Sequence, residues 1–267
     1  MRTKTTILSA VALAAGLAYA SAQVYSANVV GYYNVTVPAH GRHFLANQLT
    51  NAGDINIDLA NGPVSDPNGI LNTSYNLYDN NAHNYVIYQY WLGVDADNNF
   101  GNGNQGNGWY DGGGFIHHTP FPSGLGAFII NPQSTNITMT LVGQVIQGTY
   151  STQVKPGYNA FSLTPAVSTN ISSFAQFPGY SDPNGIQNDT YNLWDDSIQN
   201  YRILSYWIGS QADDNYGNGN QGDGWYDGGG FRQDLTNPVF NAKVGGAFFI
   251  IRPSTGTSNW VYSFTVQ

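Results

Sequence analysis

The chain has 267 residues, a formal net charge of −8, no cysteine and 32 glycines, and only 9% of its side chains are charged. It carries 31 asparagines and 16 aspartates but no glutamate. Eight Lys and Arg side chains cannot line a nucleic-acid path, and so few Glu, Lys and Arg argue against a helical protein. What remains is rich in Tyr, Phe, Val, Ile, Thr, Asn and Gly, the chemistry of strands and turns, in a chain long enough to bury one or two cores.

Residues 1–22 have the form of a secretory signal. Arg2 and Lys4 supply the charged start, Ile7 to Leu17 the apolar stretch, and Ala20-Ser21-Ala22 the small-residue cleavage site. The stretch is too short to span a bilayer well, and no other apolar run approaches that length. The expected location is therefore outside the cell, free or at the cell surface. Removing 1–22 leaves six basic and sixteen acidic side chains, a net charge of −10. Without cysteine no disulfide can form.

Strand signals follow in order. The run from Val24 to Val37 is uncharged and β-prone up to Pro38. Residues 74–79 and 84–91 read as a hairpin joined through Asn80-Asn81-Ala82-His83. Residues 126–131 suit a strand buried on both faces, and Ile137, Met139 and Leu141 alternate with Thr138 and Thr140 as in a half-buried strand. Residues 140–154 look like nearly continuous strand. The one helical candidate after the signal is 171–177. Asn-Gly pairs beginning at 61, 68, 102, 107, 184 and 218 mark tight turns.

The strongest signal is internal repetition. Residues 65–77 (SDPNGILNTSYNL) recur 116 residues later as 181–193, identical at 10 of 13 positions. Residues 97–115 recur at the same offset with 16 of 19 identities. Gly126-Ala127-Phe128 matches Gly246-Ala247-Phe248 with the offset grown to 120. The expectation is an all-β protein of two tandem homologous β-units, 23–147 and 148–267, behind the signal helix. Each unit would be a sandwich or a partly open barrel, with about ten to fourteen strands in all. The run 24–37 resembles the joint between the units, and Val261-Tyr262-Ser263 repeats Val24-Tyr25-Ser26. Its only analogous partner is the end of unit two, from Trp260 to Val266, either in the same chain or in a neighbouring copy.

The opening strand from Val24 to Tyr32 (VYSANVVGY) and the element Gly126-x-Phe128-x-x-x-Pro132 resemble duplicated secreted β-rich proteins of verrucomicrobial-type bacteria. That resemblance implies secretion and duplication, and no activity comes with it. The long Gly-Asn segment is a departure from that pattern.

The segments 97–115 and 213–231 are mostly Gly and Asn, so core packing does not explain their preservation. Gly101-x-Gly103-x-x-Gly106 has the spacing of a dinucleotide fingerprint but no βαβ surroundings. Hard-cation chemistry fits better. Asp95, Asp97 and Asn99 stand at alternate positions as in a calcium loop, with Asp111 as a further oxygen donor. The second copy offers Asp213, Asn215, Asp223 and Asp227, with Gln211 in place of Asp95. The competing expectation is a set of Asn/Asp turns held by side-chain to backbone hydrogen bonds.

Trp109-Tyr110 and Trp225-Tyr226 sit between glycine turns, where rings could face solvent and stack on a glycan. All five histidines lie in the first unit, and the chain has neither a G-x-S-x-G elbow nor a cysteine nucleophile. The adjacent pair His117-His118 points to opposite faces of any strand, as surface histidines would. These observations predict a non-enzymatic structural or assembling protein of the cell surface or extracellular matrix, such as a calcium-stabilised filament subunit that pairs with itself through the 24–37 strand. The alternative is a secreted carbohydrate-binding module taking extracellular glycans. No nucleic-acid partner and no membrane span in the mature chain are expected.

Overall fold

The structure is a computed structural model and describes residues 30–50, 53–174, 177–235, 237–253 and 256–265. The signal sequence and the first part of the 24–37 strand lie outside the described residues. The chain is all-β: its ordered elements are mostly strands, and every paired strand runs antiparallel to its neighbour. Fifteen strands are present among the described residues, one more than the upper expectation.

In chain order the first half contains β1 (Val30–Val37), β2 (Arg42–Ala46), β3 (Leu49–Thr50), α1 (Ile55–Asp58), β4 (Ser74–Asp79), β5 (Asn84–Trp91), α2 (Gly93–Phe100), β6 (Gly108–Tyr110), β7 (Gly126–Ile130) and β8 (Ile137–Val145). The second half contains β9 (Gly148–Val154), β10 (Gly157–Phe161), α3 (Ile171–Phe174), β11 (Thr190–Asp195), β12 (Asn200–Trp207), α4 (Gly209–Tyr216), β13 (Gly224–Tyr226), a 3-10 turn at Pro238–Phe240, β14 (Phe248–Arg252) and β15 (Ser258–Phe264). Of these helices only α3 falls within the sequence expectation. Gly, Asn and Asp are poor helix formers, which is why α2 and α4 escape a propensity-based prediction.

The strands build four stacked layers. One five-stranded sheet has the order β2-β7-β4-β5-β6 and another β10-β14-β11-β12-β13. A β1-β8-β3 sheet covers the first, and a β15-β9 pair covers the second. The alternation in β8 explains the first cover: Ile137, Met139 and Leu141 point inward onto Tyr75, Trp109 and Ile129. The second cover works the same way, with Trp260 and Tyr262 packed among Tyr191, Trp225 and Phe248. The outer faces of the two five-stranded sheets then meet each other. Phe44 stacks on Phe128 at 4.4 Å and on Phe249 at 4.8 Å, so a third apolar cluster joins the halves.

Pairing register corrects two expectations. Ser74 lies opposite Ile130 whereas Thr190 lies opposite Ile251, so β7 and β14 correspond at an offset of 121. The sequence match of Gly126-Ala127-Phe128 at 120 is therefore one residue out. A one-residue slip turns every side chain of a strand to the other face, and the slip places Phe128 and Phe249 between the sheets while Ala127 and Phe248 face their cores. The second correction concerns the N-terminal strand. β1 pairs with β8 from Val37–Ile137 to Val30–Gln144, and β15 pairs with β9 over all seven of its residues. Each half closes on its own last strand, and 140–154 is broken at Ile146 and Gln147 between two sheets.

Candidate functional site

Asp95, Asp97 and Asn99 lie in α2, not in a loop. Residues two apart on a helix are about 200° apart in azimuth, so the alternate carboxylates diverge instead of converging on one ion. Asn99 donates to Pro67 O at 2.7 Å and to Asp95 O at 2.8 Å, and Asp97 Oδ1 accepts from Gly103 N at 2.8 Å. Asp213 and Asn215 repeat these contacts in α4, where Gly219 N, Pro183 O and Gln211 O are the partners. Asp111 Oδ1 accepts from Gly113 N and Phe115 N, and its Oδ2 pairs with His117 Nε2 at 2.8 Å. Asp227 does the same with Gly229, Phe231 and the amide of Gln233.

The remaining residues complete a self-closed cassette. Asn107 Oδ1 accepts from Gly93 N, and Asp223 Oδ1 accepts from Gly209 N, both at 3.0 Å. Each caps a helix that begins fourteen residues earlier and has no local side-chain cap. The carboxylate of Asp223 also complements the positive end of the helix dipole. Asn102 and Gln105 donate to Gly114 O, as Asn218 and Gln221 do to Gly230 O. Gly101 and Gly217 end the helices with φ of 72°, the left-handed conformation that glycine adopts freely. Hydrogen-bond demand thus accounts for the preservation of these segments. Among the described residues no group of three or more His, Asp or Glu side chains is placed to hold a metal ion.

Trp109, Tyr110, Trp225 and Tyr226 are core residues, each no more than 1% exposed. The expectation of solvent-facing rings fails because Trp109 and Trp225 face the covered cores, while Tyr110 packs with Trp91 and the α2 residue Ala96, and Tyr226 with Trp207 and the α4 residue Ala212. These rings have no free face for a sugar. The His117-His118 pair diverges as expected: His117 meets Asp111, and His118 Nδ1 meets Asp54 at 2.7 Å.

Unsatisfied pairing capacity lies at the covering sheets. β1 pairs only with β8, which leaves its second edge open among the described residues. Val30 and Tyr32 on this edge strand are 69% and 75% exposed. The outward residues of β1 and β8 are Val30, Tyr32, Asn34, Thr36, Thr138, Thr140, Val142 and Gln144, with no charge among them. The outward residues of β9 and β15 are equally neutral, with Thr149 and Ser263 hydrogen-bonded across the pair at 2.8 Å. The strand is legible in the sequence, whereas the occupation of one of its edges by β8 is not.

Comparison with family models, with curated proteins and with solved structures finds no match to this chain. No helix among the described residues is long and apolar enough to cross a membrane.

Proposed function

We propose that this is a secreted, non-enzymatic structural protein of the cell surface or extracellular matrix that assembles with copies of itself. The observation that carries the proposal is the open, uncharged edge of β1 with its exposed Val30 and Tyr32. Natural edge strands are normally blunted by Lys, Pro or bulges, and β1 has none of these up to Val37. In this reading 1–22 is the address, and 23–147 and 148–267 are tandem units. The repeated strand order of the two five-stranded sheets supports that division. Head-to-tail pairing through an open edge is heterologous and extends into a filament when it fails to close. Calcium stabilisation would be an addition to this reading, using carboxylate oxygens that the backbone hydrogen bonds leave over. The glycan-binding alternative loses its stacking rings to the core.

The test is electron microscopy and light scattering of the mature protein beside a Val30→Lys, Tyr32→Lys double variant. Filaments or large assemblies of the parent, with a folded monomeric variant, are expected. A parent that stays strictly monomeric at all concentrations sinks the proposal.

A further inference from the structure

The sheet register makes the interface between the two halves a frame built twice. Residues of β2, β4 and β5 correspond to those 116 later, and β7 to β14 at 121. Tyr78, Tyr85, Phe128 and Arg42 therefore take the places that Trp194, Tyr201, Phe249 and Tyr158 take in the other half.

In one copy of the frame Phe249 forms the floor. Tyr78, Tyr158 and Tyr201 stand steeply against it, at interplanar angles of 90°, 84° and 67° and centroid distances of 5.2, 6.0 and 6.2 Å. These rings, with Tyr85, His83 and Asn192, line a crevice of about 300 Å³. Tyr158 is 51% exposed, so the crevice opens to solvent. The hydroxyls of its four tyrosines make no hydrogen bond among the described residues, and Asn192 Oδ1 is buried without a donor.

The other copy shows what the frame accepts. There Trp194 stands against Phe128 at 86° and 5.2 Å, and Arg42 lies where Tyr158 would be, its guanidinium carbon 5.8 Å from the centre of the Trp194 ring. The protein has placed its own cation over this aromatic frame. In the first copy that position is occupied by a fourth ring, and no cation fills the crevice. Ring faces attract cations through their quadrupoles. A flat guanidinium needs one face, whereas a compact alkylated ammonium gains from a floor with several walls. The net acidic chain draws cations toward it.

We propose that the crevice on Phe249 binds a small quaternary ammonium ion such as choline. The Tyr78, Tyr158 and Tyr201 rings surround the methylated nitrogen above the Phe249 floor.

The experiment is a calorimetric and NMR titration of the mature protein with choline and, in parallel, with 3,3-dimethylbutanol, its uncharged isostere. One choline per chain is expected, with the isostere weaker by about tenfold or more. Tyr158→Leu, at a half-exposed position whose loss leaves the core intact, is expected to weaken choline by about tenfold. Arg42→Tyr rebuilds the first frame in the second and is expected to raise the stoichiometry to two. The proposal is overturned if folded parent protein binds no choline, if the isostere binds equally well (an apolar hole without cation recognition), or if Arg42→Tyr stays at one.

Discussion

His43 and Asp196 tie the two halves together by a side-chain pair at 2.7 Å, while the other ring nitrogen of His43 lies 2.9 Å from Gly245 O. His43 sits on β2, and both of its partners belong to the second half. One ring of the first half thereby bridges a side chain and a backbone carbonyl of the second. It lies beside the backbone exchange in which Ala46 N donates to Gly245 O and Ala247 N donates to Phe44 O.

Replacing this ring tests how much the clasp contributes. His43 is 12% exposed in its side chain, so His43→Phe removes both polar contacts of the ring from a largely dry site. The expected loss is about 1–3 kcal/mol, read as a lower urea midpoint with an unchanged slope. Asp196→Asn, which can still accept from the ring, should cost less.

A second prediction exploits a difference between equivalent positions. Asp189 and Arg252 form a buried pair, 0% and 3% exposed in their side chains, with Nη2 at 2.5 Å from Oδ2. The corresponding residues in the first half are Thr73 and Asn131, both buried and uncharged. Thr73 Oγ1 accepts from Val64 N as Asp189 Oδ2 accepts from Tyr180 N, each at 2.9 Å. The backbone job is thus done without charge in one half. Arg252→Met should cost about 3–5 kcal/mol by leaving a buried carboxylate without its partner. The double variant Asp189→Thr, Arg252→Asn should recover most of that loss in chemical denaturation.

Acid stability follows from carboxylates held below their ordinary range. The Ser197 hydroxyl is the chief cause for Asp195, opposed by burial and helped by Ser197 N–H and Arg202, and its pKa falls to about 2. For Asp111 burial pushes upward, but the Phe115 N–H, His117 and the Gly113 N–H outweigh it. Asp54 is lowered the same way, with His118 and Asn56 overcoming burial. Each folded pKa lies below the unfolded value of about 3.9. Their stabilisation is therefore complete above that value and lost as pH falls through the folded values. The urea midpoint should decline between about pH 4 and about pH 2, and Asp195→Asn should flatten part of the decline.

The Gly-Asn cassettes should keep their shape without calcium, because backbone donors already occupy Asp97, Asp111, Asp213 and Asp227. Chelator is expected to leave the melting temperature unchanged. A rise in millimolar calcium that chelator reverses would instead establish a cation site, and Asp223→Asn would show whether it lies in the second cassette.

Composition and repetition determined much by themselves. The absence of Glu, the wealth of β-branched and aromatic residues, and the alternation around Met139 fix an all-β chain with β8 half buried. The 116-residue repeat predicts two units of like build, and the two five-stranded sheets have corresponding strand orders. Local patterns also carry the β4–β5 hairpin and the brief α3, because turn chemistry and side-chain period act within a few residues.

Tertiary structure decided what depends on distant partners. The caps of α2 and α4 come from Asn107 and Asp223, fourteen residues beyond the helix starts, so a segment that reads as loop winds into helix. Trp109 and Trp225 are buried because covering strands from elsewhere in the chain close over them. The pairing of β1 with β8 is set by which edges meet in space, which sequence similarity to the end of the chain misassigned. The offset of 121 between β7 and β14, one residue beyond the sequence match at 120, turns Phe249 to the interface, and there it meets Phe44 and Tyr78. A strand's two faces differ by one residue in sequence, and only packing selects between them.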